Sequence, residues 1–230
     1  MKKKYKPVPV FRNHSTLDFA VQDTDADVYT LRCTNKSTAP WVFYVYQKMP
    51  SQPSEIFSLA WFASPYRIGP NDQITFSWSI DYSFVWGNSG ILQPGVNYDA
   101  SGSQPASIQG TNQTTFSTDD GFPHLSTPTT GGQAGSLTVN QAGNVPNNVF
   151  ATGIGMSGQG TFVQQALANT QQVYTPTPEY WIAAATQMQI GVVLAQTVSQ
   201  TAKVTFPPSV FTMYATLDQN NTWSISQTPT

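Results

Sequence analysis

Along residues 74–80 the chain alternates apolar and polar side chains, Ile74-Thr-Phe-Ser-Trp-Ser-Ile80. Period two sets Ile74, Phe76, Trp78 and Ile80 on one face of a half-buried strand. Trp41-Val-Phe-Tyr-Val-Tyr46 is denser, with β-branched and aromatic residues that suit a pleated surface. Val28–Asn35, Phe57–Phe62 and Tyr82–Trp86 show strand composition as well. Turn residues separate them at Lys36-Ser-Thr-Ala-Pro40, Gly69-Pro-Asn-Asp72 and Gly87-Asn-Ser-Gly90. Nearer the C-terminus, further strands are predicted at 160–163, 173–174, 180–183, 191–194, 202–206, 210–215 and 222–225.

Residues 99–148 break this rhythm, being rich in Ser, Thr, Gly, Asn and Gln with few large apolar groups. They suit either a long loop region or a set of edge strands and hairpins, with short strands around Thr115-Phe116 and Ser136–Val139. The nearest helix candidate, Phe162–Asn169, lacks a cap pair. About a dozen short strands divided by turns define an all-β fold, a two-sheet β-sandwich or jelly-roll-like domain. Residues 28–230 form that single domain. Residues 1–27, with Pro7 and Pro9 and a lysine-rich start, form an extended N-terminal arm. Trp61, Phe76, Trp78, Trp86, Trp181 and Phe206 are the expected core aromatics.

Composition sharpens this. Charged residues are only 10% of the chain, against roughly 25% in an average domain. Low charge with net −2 and 13% aromatics argues for an ordered, loop-rich β protein rather than disorder. No Lys or Arg lies between Arg67 and Lys203, so the centre is nearly neutral, with little to hold copies apart. The single cysteine, Cys33, excludes an intrachain disulfide and is expected as a small buried hydrophobe. The basic start lacks the apolar segment that an export signal needs, and no run approaches a membrane span. The expected location is cytoplasmic, with non-classical export to the cell surface as the alternative.

Candidate chemistry is sparse. Gly153-Ile-Gly155-Met-Ser-Gly158 has the spacing of a dinucleotide loop, but another strand segment follows where that loop needs a helix. The glycines are expected to allow a tight crossing or bulge. Two histidines and one cysteine are too few for zinc. Asp23, Asp25 and Asp27 lack the glycine and distal glutamate of a calcium loop, which favours a solvated edge. Asp119 and Asp120 with His124 could form an acid–base group, yet no serine nucleophile motif accompanies them. No catalytic residue, cofactor, metal or nucleic-acid partner is expected, and the chain is read as a non-enzyme.

Longer motifs carry a resemblance. Ser58-Leu-Ala-Trp-Phe-Ala63, Phe76–Trp86, Leu92-Gln-Pro-Gly-Val96, Gly153–Val163, Thr175–Ile182 and Asn221-Thr-Trp223 occur in order. Over about residues 28–226 the chain resembles the RhiA-like family, bacterial proteins expressed in the rhizosphere under quorum control. The resemblance supports the β fold, carries over no catalytic residue and leaves function open.

Two functions remain. The first is a self-assembling structural or surface protein that forms homo-oligomers through β edges and the arm. Lys2, Lys3, Lys4, Tyr5, Val8, Val10, Phe11, Leu17 and Phe19 would make the arm's contacts. The alternative is a carbohydrate-binding, lectin-like module, with Trp61, Tyr82, Trp86, Asp119, Asp120 and His124 forming the ligand surface.

Overall fold

In a computed structural model of the chain, residues 8–12, 16–20, 27–177 and 179–229 are described. They form nineteen strands and one 3-10 turn, Asp119–Gly121. The first eight strands are β1 (Val8–Arg12), β2 (Thr16–Ala20), β3 (Tyr29–Asn35), β4 (Val42–Lys48), β5 (Phe57–Ser58), β6 (Phe62–Ala63), β7 (Gln73–Trp78) and β8 (Tyr82–Asn88). From the polar stretch come β9 (Gly102–Ala106), β10 (Gln113–Ser117), β11 (His124–Leu125) and β12 (Leu137–Gln141). The last seven are β13 (Phe150–Met156), β14 (Gln159–Gln165), β15 (Gln171–Tyr174), β16 (Glu179–Ala185), β17 (Thr201–Val204), β18 (Thr212–Leu217) and β19 (Trp223–Ser226). Residues 99–148 are therefore short strands and hairpins rather than one long loop.

The all-β sandwich class is what the chain adopts, with its sheets in two pairs. The first sandwich packs sheet β1-β2-β7-β3-β18-β19 against sheet β17-β16-β4-β6. Leu31, Cys33, Ile74, Phe76, Trp78, Met213 and Leu217 from one sheet meet Phe43, Val45, Tyr180, Ile182 and Val204 from the other. The second sandwich packs sheet β5-β14-β13-β8-β9 against sheet β11-β10-β12-β15. Its core joins Phe84, Phe150, Ile154 and Phe162 to Phe116, Leu137, Val139 and Tyr174.

The run 57–62 does not form one strand. It splits into β5 in the second sandwich and β6 in the first, with the chain crossing between them at Leu59-Ala-Trp61. Trp61 marks the seam: it is fully buried, and its indole N–H donates to the Met156 carbonyl at 2.8 Å. Residues 191–194 are likewise no regular strand. They form a strap held by isolated bridges, Leu59↔Val193 and Asn97↔Val192. Leu194 covers the outer face of β4 and β16 together with Tyr44, Tyr46 and Ala183. Val193 covers the outer face of β8 and β13 together with Val85 and Ala151. Burial on both faces explains why β4 is dense in apolar residues instead of alternating.

The helix candidate Phe162–Asn169 is β14 and the turn after it. The glycine motif forms the β13–β14 hairpin, with Met156 opposite Gln159 across a two-residue turn, Ser157-Gly158. Both turn residues have positive φ, 50° and 75°, the geometry that matches the twist of paired strands. The expected bulge is present as a register shift between Ile154 and Gly155. At Gly153 a side chain would collide with the Phe162 carbonyl, so the close approach of β14 requires glycine there.

Half of the expected core aromatics are interior. Trp61, Phe76 and Trp78 are fully buried, whereas Trp86, Trp181 and Phe206 are half-buried. Ile80 departs from its predicted face because β7 ends at Trp78; it is 47% exposed.

Candidate ligand-binding surfaces

The six residues proposed as a ligand surface do not share one. Trp61 lies in the seam and presents nothing to solvent. Tyr82, half-buried, packs against both cores. Trp86, also half-buried, lies against Phe116 and Phe150, with ring centroids 5.6 and 5.9 Å away.

Asp119 and His124 do come together, around the 3-10 turn after β10, in which Asp120 lies. The Ser117 hydroxyl donates to Asp119 Oδ2 at 2.8 Å, and Asn144 Nδ2 donates to Asp119 Oδ1 at 2.7 Å. His124 Nε2 is 3.3 Å from Ser117 Oγ and 3.9 Å from Asp119 Oδ2, while Nδ1 faces the Phe122 carbonyl at 3.0 Å. A nucleophilic triad places serine and carboxylate on opposite ring nitrogens. Here both lie on the Nε2 side, so the cluster ties the turn together.

Of the arm, Lys2, Lys3, Lys4 and Tyr5 lie outside the described residues. Val8, Val10 and Phe11 fall in β1, and Leu17 and Phe19 in β2. The two strands form a hairpin, and β2 runs parallel to β7 with Leu17 opposite Ile74 and Phe19 opposite Phe76. The hairpin thus extends the first sandwich by two strands beyond β7. Asp23 and Asp25 also lie outside the described residues; among the described residues, no group of three or more His, Cys, Asp or Glu could hold a metal. Cys33 is buried, and burial pushes its thiol up and away from reactivity.

One opening was not legible in the sequence. It is an open cleft of about 440 Å³ at one end of the first sandwich, lined by Tyr29, Tyr180, Phe206, Ile80, Glu179 and Lys203 among others. The Phe206 ring stands at 87° to Tyr29 and 86° to Tyr180, with centroids 5.0 and 6.0 Å apart. Beneath them Tyr29 stacks on the buried Trp78 at 6.4 Å. Burial raises the Tyr180 hydroxyl, which stays neutral at physiological pH. At the rim Lys203 Nζ lies 2.6 Å from Glu179 Oε1. Antiparallel β16 and β17 create that pair by setting Tyr180 opposite Val204. All of these but Glu179 sat in predicted strands, and only strand pairing and sheet packing bring them together.

A smaller recess of about 140 Å³ is lined by Tyr46, Lys48, Gln52 and Ser58. Its polar groups are already engaged: Gln52 Nε2 donates to the Ile56 carbonyl at 2.8 Å and Ser58 Oγ to the Gln47 carbonyl at 2.6 Å. Lys48 lies over the Trp181 ring at 4.9 Å.

An all-β sandwich protein with an aromatic cleft is the class these features define. The RhiA family model matches residues 26–228, and the chain belongs to the RhiA family. It is 52% identical over 199 residues to Protein RhiA of Rhizobium leguminosarum bv. viciae, covering 86% of this chain and 86% of that protein. No solved structure matches it.

Proposed function

We propose that the chain is a non-catalytic protein that associates with copies of itself, and that the N-terminal hairpin is the element exchanged. The observation that carries this reading is the β2–β7 pair. The hairpin is added at a sheet edge, where main-chain hydrogen bonds supply the contact. A hairpin from a second copy satisfies the same β7 edge with the same register, which is the logic of domain swapping. The near-neutral centre, without Lys or Arg from 68 to 202, offers little repulsion between copies. Lys2, Lys3 and Lys4 on the arm make association sensitive to salt, since exposed charges are screened within about 8 Å at physiological ionic strength.

Light scattering on the full chain and on a chain beginning at Asp27 tests this. The full chain is expected as an oligomer, and the shortened one as a single folded copy. Cysteines at the register partners Thr16 and Gln73 then report whose hairpin is bound. Oxidation links separate chains if the hairpin is exchanged and leaves single chains if it is not. A shortened chain that folds and keeps its particle mass defeats the reading.

A further inference from the structure

We infer that the cleft lined by Tyr29, Ile80, Tyr180 and Phe206 is a binding site for a neutral pyranose sugar. This inference is independent of self-association, because the cleft lies within one chain. At about 440 Å³ the cleft falls within the usual range of ligand sites. Its apolar lining turns a corner, because the Phe206 ring is nearly perpendicular to both tyrosine rings. Ile80, 47% exposed, extends this lining outward. Aromatic faces of this kind take up the C–H face of a sugar ring, removing apolar surface from water on both partners.

The rim decides the ligand class. Lys203 and Glu179 form a close pair, with side chains 45% and 28% exposed, so their charges cancel beside the opening. An anion would have to draw Lys203 from Glu179, and a cation would have to draw Glu179 from Lys203. A wholly hydrocarbon ligand would strip water from the ion pair and from the Thr177 and Thr205 hydroxyls without replacing its hydrogen bonds. A sugar does neither. Its hydroxyls accept from the ammonium and donate to the carboxylate while the pair stays intact. The aromatic and polar residues once expected to bind carbohydrate at Trp61 and His124 thus have a counterpart elsewhere, in Phe206 and Lys203.

The test uses the full chain and a panel of disaccharides, maltose, cellobiose, lactose and chitobiose, with dodecanoate as an anionic competitor that has an apolar tail. Binding is read by saturation-transfer NMR and calorimetry up to about 10 mM, which reaches the weak end of specific affinity. At least one disaccharide is expected to bind, with saturation strongest on ring C–H protons. Phe206→Ala is expected to weaken it about tenfold. Thr205→Arg, at an exposed position, is expected to fill the cleft and abolish binding without disturbing the fold. If no disaccharide binds, if dodecanoate alone binds, or if binding survives Thr205→Arg, the inference is overturned.

Discussion

The two sandwiches solve the same packing problem with different chemistry. In the first, the inward faces of β7, β16 and β18 are apolar, and Trp78, Phe76, Ile182 and Leu217 close an apolar interior. In the second, a polar bridge crosses between the sheets. Gln141 Nε2 on β12 donates to Thr152 Oγ1 on β13 at 2.6 Å, and Thr152 Oγ1 donates to Gln172 Oε1 on β15 at 2.7 Å. The Tyr174 hydroxyl lies 2.9 Å from Gln172 Oε1 and 3.1 Å from the Thr152 carbonyl. Gln141, Thr152 and Gln172 are all buried. The lesson is that a stretch poor in apolar residues can still build a packed layer when its amides and hydroxyls are paired inside.

Both sandwiches bury tyrosines, and alkaline pH tests whether they fail together. Burial raises the hydroxyls of Tyr44 and Tyr180 in the first, and those of Tyr98 and Tyr174 in the second. Tyr82, which touches both cores, is pushed up to about 12, again by burial. Each keeps its proton in the folded chain at a pH where the unfolded chain has lost it. Their contribution is therefore intact below about pH 10 and is lost as pH rises through the folded values. For the fully buried Tyr98 and Tyr174 the loss grows with each pH unit above the unfolded value. Cooperative unfolding is expected between about pH 10 and 12, the largest effect considered. Tryptophan fluorescence and far-UV circular dichroism should change in one step, because Tyr82 packs against both cores and Trp61 bonds to Met156 of β13. Two separated steps would show two independent units.

The first sandwich was largely legible in the sequence and the second in part: strands were expected at β8, β10, β12, β14 and β15, but not at β9, β11 or β13. Period-two alternation at Ile74, Phe76 and Trp78 marks a face, and dense runs such as Val42–Tyr46 mark a strand covered on both sides. In β12 and β15 the inward positions include Gln141 and Gln172, which hydrophobicity assigns to the surface. β13 was missed for another reason: Gly153 and Gly155 are there for the close approach of β14, and glycine otherwise signals a break in a strand. The cleft was hidden because Tyr29, Glu179 and Phe206 are brought together by pairing register and sheet packing, which local pattern does not encode. The turn cluster of Asp119 and His124 was visible as a sequence neighbourhood, but its Ser117 and Asn144 partners were not.

Removing an aromatic from the apolar core is the next largest perturbation. Trp78 is fully buried and within 5.3 Å of Trp61 and 5.0 Å of Tyr180, centroid to centroid. Trp78→Ala should cost about 3–5 kcal/mol through lost burial and the cavity left behind. Phe116→Ala, in the second core, should cost a similar amount. Urea melts read both. A loss under about 1 kcal/mol for either would show that its sandwich collapses around the gap and is not close-packed.

The smallest effect separates the two chemistries most directly. Thr152→Val conserves shape and makes the second interior more apolar, so burial alone predicts a neutral or stabilising change. The hydrogen bonds predict the opposite. The valine leaves Gln141 Nε2 without its acceptor, and Gln141 Oε1 already has no partner, so a whole amide is stranded in the core. Gln172 Oε1 keeps the Tyr174 hydroxyl. The single change should therefore cost about 1–3 kcal/mol, the penalty for orphaning a buried polar group. In the double variant Gln141→Leu with Thr152→Val, donor and acceptor leave together, and most of that loss should return. A double-mutant cycle in urea measures the difference. If Thr152→Val is neutral alone, the bridge is incidental and the second sandwich is held, like the first, by its apolar contacts.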